Sequence, residues 1–401
     1  MLKKIIAEKI RANGPMPFKA FMEETLYHPD YGYYMSSIPF GREGDFFTAS
    51  HLHPAFGAAI GRQIEQMWTL MGSPALFHII EFGPGRALLA SDMLMYLSDT
   101  EFFKSISYVI IEANPRLRRQ QEAMLAPFSG TVAWVDSIDG LPPVAGCILS
   151  NELLDAFAVH LVQMDNGALK EVWVAAEGDD TLCEVLAEPS KEILEYVEEF
   201  NIDVLRDSNT SFKSAIAAEA AIQSTYRTEI NLAIRDWLKD CSTILREGFI
   251  ITIDYGFPAW QYYQPGRCRG TLLCYFRHKT SENPYVNIGQ QDITAHVNFS
   301  ALGKWGILQG FTPVGYAAQG TFLLSLGIDE LICQIPKDED YQFEAIKIKR
   351  LLVPEGMGQS HKVMIQYKGM ERETPVLKGF TIRNQLRELD VSAVYNPKNG
   401  S

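Results

Sequence analysis

The sequence predicts an α/β protein of the Rossmann type, in which helices alternate with the strands of a mostly parallel sheet. The first observation is a short apolar run, 76–82, that ends at two closely spaced glycines and continues into leucines at helical spacing. The second is that similar runs recur at 108–111, 132–135, 146–149 and 249–253, each followed by a polar residue. Because the carboxyl ends of parallel strands share one edge of a sheet, we expect these polar residues to line a crevice.

The composition indicates a globular protein with a large core, because 47% of its 401 residues are apolar. The net charge of −13 disfavours a nucleic-acid partner. The six cysteines form no C-x-x-C pair and the eight histidines no H-E-x-x-H motif, so neither a metal site nor disulfides are expected. This cysteine usage predicts a reducing, cytoplasmic location. Neither a signal peptide nor the ~18-residue apolar run of a membrane span is expected.

The segment before the first core strand is predicted to be helical and to contain a glycine-rich loop over 41–50. We expect Gly44, Asp45 and Thr48 of this loop to close over a ligand bound at the adjacent strand. The alternative is that Thr48 only caps the helix that follows.

The two glycines after the first strand predict a cradle for a cofactor. Gly83 and Gly85 lack a Cβ atom, so the backbone can turn sharply and approach a ligand. Leu88 replaces the third glycine of the dinucleotide motif, and Glu81 would repel a pyrophosphate but suits a cation. The pattern Glu-x-Gly-x-Gly is typical of S-adenosylmethionine sites, which would place Glu81, Gly83, Pro84 and Gly85 at the cofactor. A purely structural turn is the alternative.

Two further acids follow the next two strands. Glu112 is placed to bind a ribose, because one carboxylate matches two vicinal hydroxyl donors. Asp136 ends the third strand, where a contact with adenine is expected; a solvated loop acid is the equal alternative.

The fourth strand runs directly into Ser150-Asn151-Glu152, and Asp155 follows. Polar residues at the carboxyl end of a central strand lie where open sheets bind ligands, so this is the candidate reaction centre, with Asn151 also at the cofactor. The alternative is that Asn151 caps the next turn and that Glu152 is merely exposed.

The remaining patterns predict an insertion and a second half of the core. Asn166-Gly167 indicates a hairpin within 161–187, apolar residues at helical spacing predict a long helix over 219–245, and a fifth strand ends in Asp254-Tyr255-Gly256. The expected segments are an N-terminal helical, cofactor-covering part (1–75), the first half of the core (76–160), the insertion (161–247), the second half of the core (248–370) and a C-terminal tail (371–401).

Several motifs in this order resemble those of the MidA family, whose mitochondrial members are complex I assembly methyltransferases. The motifs are G-x-x-G-D-F-x-T at 41–48, E-x-G-P-G-R at 81–86, N-E-x-x-D at 151–155, D-Y-G at 254–256 and G-T-L at 270–272, together with segments 112–120, 292–299 and 319–327. Ala87 and Leu88 stand where family members often have glycine and threonine, and Asn298 stands where aspartate is common.

The resemblance implies a seven-stranded methyltransferase core with an inserted helical and β subdomain, and a methyltransferase that uses S-adenosyl-L-methionine on a protein arginine. It implies a protein substrate, for which a respiratory-complex subunit is the expectation. A homodimer is a separate expectation. A guanidinium keeps its proton at working pH, so two carboxylates, Glu152 and Asp155, would hold it as a clamp. Asn151 could instead bind the target nitrogen. A small-molecule N- or O-methyltransferase and a non-catalytic binding protein remain alternatives.

Overall fold

The computed structural model describes residues 1–36, 49–178, 180–206, 226–333, 341–369 and 375–391. The strands are β1 (Met16–Pro17), β2 (Phe77–Phe82), β3 (Ile106–Ile111), β4 (Val132–Val135), β5 (Val144–Asn151), β6 (His160–Asp165), β7 (Ala168–Glu177), β8 (Thr181–Ala187), β9 (Arg227–Ile230), β10 (Leu245–Phe257), β11 (Leu273–Phe276), β12 (Lys279–Ser281), β13 (Asp292–Thr294), β14 (Val297–Asn298), β15 (Thr312–Ala318) and β16 (His361–Lys368).

The α-helices are α1 (Leu2–Asn13), α2 (Phe18–Tyr27), α3 (Tyr33–Ser36), α4 (Ala49–Leu52), α5 (Ala55–Leu70), α6 (Leu88–Leu97), α7 (Pro115–Met124), α8 (Lys191–Glu199), α9 (Ala233–Ile244), α10 (Ala259–Tyr262), α11 (Phe299–Leu308), α12 (Gln319–Ser325), α13 (Ile328–Cys333) and α14 (Tyr341–Leu352). Short 3-10 helices cover Phe102–Ser105, Ala126–Phe128, Leu154–Ala156, Asp203–Leu205, Lys378–Phe380 and Leu386–Leu389.

The central sheet has the strand order β15-β16-β10-β5-β2-β3-β4, and β14 pairs with the end of β10. Within this order, the adjacent strands β4, β3, β2, β5 and β10 are parallel to one another. Strand β16 is antiparallel to both β10 and β15. The predicted α/β class and seven-stranded core are confirmed, and β14 is a short addition to them.

Helices cover both faces of this sheet, which is why its central strands are continuously apolar. On one face α5, α6, α12 and α14 bury side chains such as Ile79 and Ile251. On the other face α8, α9 and α11 bury Ile80, Ile148 and Ile250.

The order of the strands creates a crevice at their carboxyl ends. β2 and β5 are neighbours, but β3 and β4 lie beyond β2 whereas β10 lies beyond β5. The connections therefore leave in opposite directions, and ligands bind at such a switch point in open α/β sheets. The glycine turn after β2 and the polar residues after β5 meet there.

A second, antiparallel sheet combines strands β6 to β9, which lie in the chain between β5 and β10, with β1 from the N-terminal part. Its order is β1-β7-β6-β9, with β8 paired to β7, and its apolar face packs against α1 and α2.

The prediction of one helix over 219–245 is wrong for the described residues, because Arg227–Ile230 forms β9, which pairs with β6, and α9 begins only at Ala233. The segment boundaries 75/76, 160/161, 247/248 and 370/371 stay predictions.

A small third sheet, β12-β11-β13, lies after β10 and carries Tyr275, Asp292 and Thr294 to the crevice. Within the described ranges, no helix is both long enough and apolar enough to cross a membrane.

Candidate active site

A pocket opens at the carboxyl ends of the central strands. It is lined by most of the site residues predicted from the sequence, namely Glu81, Gly83, Pro84, Gly85, Glu112, Asn151, Glu152 and Asp155. Tyr27, Tyr34, Tyr255 and Tyr275 form an aromatic wall, and Asp292 adds another carboxylate. The pocket therefore combines acids with aromatic rings, a lining that suits cationic ligands.

The turn after β2 has the conformation that its glycines permit. Gly83 and Gly85 have φ angles of 57° and 56°, which residues with a Cβ rarely adopt. A Cβ at Gly83 would approach Leu153 Cδ1 to 3.0 Å. Ala87, directly before α6, is also left-handed, with a φ of 59° and a fully buried methyl group. This conformation costs roughly 1–2 kcal/mol for an alanine, and glycine would relax it.

The carboxyl group of Glu81 is buried at the end of β2. It is 2% exposed and its Oε2 accepts a hydrogen bond of 2.7 Å from the Tyr108 hydroxyl. Burial raises the pKa of Glu81 to about 7, although the hydrogen bond from Tyr108 acts in the opposite direction. A cation bound nearby would stabilise the ionised form, so the environment fits the amino group of S-adenosylmethionine.

We expect the affinity for S-adenosylmethionine to rise with pH and to level off above about 7, because a cation prefers ionised Glu81. Below this pH, binding must displace a proton, so the association constant should fall by up to about tenfold per pH unit. Calorimetry from about pH 5 to pH 8 measures this dependence. The matched Glu81→Gln variant should lose it, and an equal slope in both proteins would remove Glu81 from the binding site.

Glu112 is held in place after β3 by its neighbours. Its Oε1 accepts the Asn114 N–H at 2.8 Å, and its Oε2 accepts Gln121 Nε2 at 2.9 Å. The same Gln121 nitrogen donates to Gly85 O at 2.8 Å, so one side chain ties the acid to the glycine turn. Burial raises the pKa of Glu112, and these two donors oppose the rise. Gln121 was not predicted; its signal is a polar side chain on the inner face of α7.

Replacing Glu112 with alanine should weaken S-adenosylmethionine binding by about 1–3 kcal/mol, because donors of the ribose and of Gln121 lose their acceptor. Calorimetric titration measures the change. Glu122→Ala is the control, since Glu122 is an exposed acid on α7, the helix that carries Gln121, and pairs with Arg118. Unchanged affinity in Glu112→Ala would assign the ribose to another residue.

Glu152 is positioned by β10. The backbone of Glu152 has a left-handed conformation, with a φ of 50°, and its N–H donates to Ile253 O at 2.8 Å. Its side chain is 4% exposed; Oε1 accepts the Ala49 N–H at 3.1 Å and Oε2 accepts the Tyr255 hydroxyl at 3.2 Å. Each carboxylate oxygen has two lone pairs, so both retain capacity to accept a further donor. Strained residues that the surroundings hold in place cluster at functional sites.

Asp254 fixes the loop that follows Glu152. Its Oδ2 accepts the N–H groups of Leu153, Leu154 and Asp155 at 3.2, 2.9 and 3.3 Å, and its Oδ1 accepts the Tyr255 N–H at 2.8 Å. Burial and the charge of Glu152 raise the pKa of Asp254 to about 8, against these hydrogen bonds. Its position at a strand end was noted in the sequence, but the anchoring role becomes visible only in the structure.

Asp155 lies beside these acids and is 5% exposed. Its Oδ1 is buried and has no hydrogen-bond partner among the described residues. Burial, Asp254, Glu152 and Asp292 raise the pKa of Asp155 well above its usual range. A bound cation would relieve this crowding of buried carboxylates.

The aromatic wall joins the acids to the third sheet. The Tyr34 hydroxyl donates to Asp292 Oδ1 at 2.8 Å, and the rings of Tyr27 and Tyr34 stack at 5.5 Å between centroids. Asp292 was part of a family motif but was given no role in the sequence analysis. The structure places its buried carboxyl group in the pocket.

One predicted cofactor residue does not join this group, and three others lie outside the part of the chain that the structure describes. Asp136 is absent from the described lining; its side chain is 83% exposed and pairs with Arg118 at 3.3 Å, so the geometry does not support a contact with adenine. Solvent and a neighbouring cation satisfy this acid at the surface. Gly44, Asp45 and Thr48 lie outside the described residues.

The residues of the pocket fit S-adenosylmethionine. The glycine turn leaves room for close approach, Glu112 can accept two hydroxyl donors, and the buried Asn151 Oδ1 has no partner among the described residues. The bound cofactor would supply an electrophilic methyl group on a sulfonium. Among the described residues, no cluster of His, Cys, Asp and Glu is arranged to hold a metal ion.

Known proteins resemble this chain over nearly its whole length. A mitochondrial "Protein arginine methyltransferase NDUFAF7 homolog" from Drosophila melanogaster is 27% identical, covering 92% of this chain and 85% of its own. The corresponding NDUFAF7 protein of Danio rerio is 26% identical over 89% and 84%. A COG1565 superfamily member from Burkholderia thailandensis, solved with S-adenosyl-homocysteine bound, has a TM-score of 0.83, 28% identity and 96% coverage of both chains.

These comparisons correct one prediction. The relatives from Drosophila melanogaster and Danio rerio are named as mitochondrial proteins, so the predicted cytoplasmic location is wrong. The inference rested on unpaired cysteines, which indicate a reducing environment but do not distinguish one reducing compartment from another.

The family follows from a direct match. Residues 59–317, which include β2, β3, β5, β10 and the pocket residues at their ends, match a family described as S-adenosyl-L-methionine-dependent methyltransferase. The match covers more than half of the chain. The chain therefore belongs to this family of S-adenosyl-L-methionine-dependent methyltransferases.

Proposed function

We propose that the methyl acceptor is a guanidinium nitrogen of an arginine in a protein. The carrying observation is the group of buried carboxylates beyond the glycine turn: Glu152, Asp155, Asp254 and Asp292. Burying several acids together is unfavourable unless a cation joins them, and the planar guanidinium is a cation that binds carboxylates through two hydrogen bonds. The names of the NDUFAF7 relatives support the same acceptor.

The chain's own residues orient the acceptor and receive its proton. Glu152 and Asp155 hold the guanidinium fork, which leaves one nitrogen free to face the methyl group, and alignment of this kind supplies most of the catalysis in a displacement. Asp254 keeps both acids in register by binding the intervening N–H groups. The tyrosines of the wall surround the side chain that enters.

A second candidate acceptor, an amide or amine nitrogen, is favoured by one observation. Asn151 Oδ1 is buried at the end of β5 without a partner among the described residues, so it could accept a hydrogen bond from such a nitrogen. The acids surrounding it are better matched to a permanently charged group, so arginine is the first choice.

The protein substrate is proposed from the resemblance to the MidA family, which points to a respiratory-complex subunit. A homodimer also stays a proposal. The pocket residues named above all belong to one chain.

Product analysis tests the acceptor. Proteins extracted from cells lacking this gene are incubated with the purified enzyme and tritiated S-adenosylmethionine, hydrolysed, and separated as amino acids. We expect the label in methylarginine. Label in another amino acid, or only in small molecules, would contradict the proposal, and heat-inactivated enzyme is the control.

A further inference from the structure

His361 is a buried histidine beside Glu152 of the proposed clamp. It is the first residue of β16, lies opposite Tyr255 in the antiparallel pair, and is 1% exposed. Its Nε2 lies 3.7 Å from Oε1 of Glu152, and its ring centroid is 4.1 Å from that of Tyr255. The imidazole therefore lies next to the Glu152 carboxylate of the proposed clamp.

The hydrogen bonds around His361 leave room for one proton. Its Nδ1 is 3.1 Å from Ser360 Oγ, whereas Nε2 is buried and has no hydrogen-bond partner among the described residues. When Nδ1–H donates to Ser360, Nε2 is an acceptor and faces Glu152 Oε1, which is also an acceptor. A proton placed between them would satisfy both atoms.

Methylation of a guanidinium releases one proton. The new N–C bond forms, the C–S bond breaks with its electron pair left on sulfur, and an N–H bond must break for the product to keep a single positive charge. Glu152 is the proposed contact of that N–H group, and a further acceptor beside it could share the proton.

We propose that His361 is a positioning residue that shares, through Glu152, the proton released by methyl transfer. The origin of the shared proton rests on the proposed function. The pairing of His361 with Glu152 is independent of that function. Other groups lie near the pair: the Tyr255 hydroxyl, the His296 ring that stacks with Tyr255, and Asp155 and Asp254, which interact electrostatically with Glu152. On β16 itself, Lys362 donates to Gln359 O.

The first test needs no turnover. In protein labelled with nitrogen-15 histidine, the His361 ring signals are assigned by their loss in His361→Gln and recorded at one fixed pH. Replacing Glu152 with glutamine should change the nitrogen chemical shifts of the His361 ring, because the carboxylate oxygen that lies 3.7 Å from Nε2 becomes part of an amide. Unchanged ring signals would overturn the pairing, whatever the methyl acceptor is.

The second test uses the rate. With the extract proteins as acceptor, His361→Gln should lower the maximal rate by about tenfold or more and move the acid limb of the pH profile, while affinity for S-adenosylmethionine stays unchanged. His296→Gln is the matched control: its ring stacks 6.0 Å from Tyr255, but burial lowers the pKa of His296 to about 4, so it is neutral.

A lower rate in His361→Gln with an unmoved acid limb would show that the residue only packs, and would refute proton sharing. If His361→Gln fails to fold, the smaller amide of His361→Asn replaces it in the same assay. If the wild-type protein labels no arginine, the proposed function fails, and the nitrogen-15 spectra still decide whether the pair exists.

Discussion

Replacing Glu152 with glutamine should reduce turnover by about 100-fold or more, while the dissociation constant for S-adenosylmethionine changes little. The amide has almost the same shape, so the hydrogen bond from Tyr255 and the position of the loop can persist. The amide has no charge, however, and its nitrogen is a hydrogen-bond donor that would face the donors of a guanidinium. The clamp would be lost, whereas the glycine turn and Glu112 are untouched.

The measurement combines initial rates of arginine labelling with calorimetric binding of the cofactor. Glu112→Ala is the informative comparison, because it should give the reverse pattern of weak binding. Tyr255→Phe is the milder control, since it removes one donor to Glu152 and keeps the carboxylate. A wild-type rate in Glu152→Gln would refute the clamp.

Replacing Asp254 with alanine should destabilise the protein by about 3–5 kcal/mol and abolish turnover. Three consecutive N–H groups of the loop after Glu152 would lose the fully buried carboxylate that accepts their hydrogen bonds. Each buried donor left without a partner costs about 1–3 kcal/mol, partly offset by relaxation of the loop. Asp254→Asn keeps one acceptor oxygen and should lose less.

Urea denaturation measures these stabilities. Asp136→Ala is the control, because Asp136 also follows a core strand, yet is exposed and forms only a surface ion pair, worth about 0–1 kcal/mol. Equal stability losses in the two alanine variants would show that Asp254 does not anchor the loop.

The sequence predicted the central sheet because its signals are local. Each core strand is an apolar run with a polar residue at its end, and helices on both faces require that pattern. The glycine turn was equally visible, since the positive φ angles at 83 and 85 favour glycine. The same reasoning failed for β9, where pairing with β6 overrides the helical spacing of 219–245.

Long-range contacts of the site could not be predicted from one sequence. His361 lies more than two hundred residues after Glu152, and only the antiparallel pairing of β16 with β10 brings them together. Gln121 and Asp254 likewise act on distant backbone, at Gly85 and at 153–155. For Asp136 the sequence predicted a contact that the geometry does not support. A position at a strand end does not fix the direction of a side chain, and this one is exposed to solvent and pairs with Arg118.

A crystal structure of this chain with S-adenosyl-homocysteine bound tests the central claim most directly. The account predicts that the ribose hydroxyls donate to Glu112, that the amino acid end lies at Gly83 and Glu81, and that the sulfur faces Asn151 and Glu152. A ligand bound outside the crevice, or a sulfur directed away from Glu152 and Asp155, would contradict it.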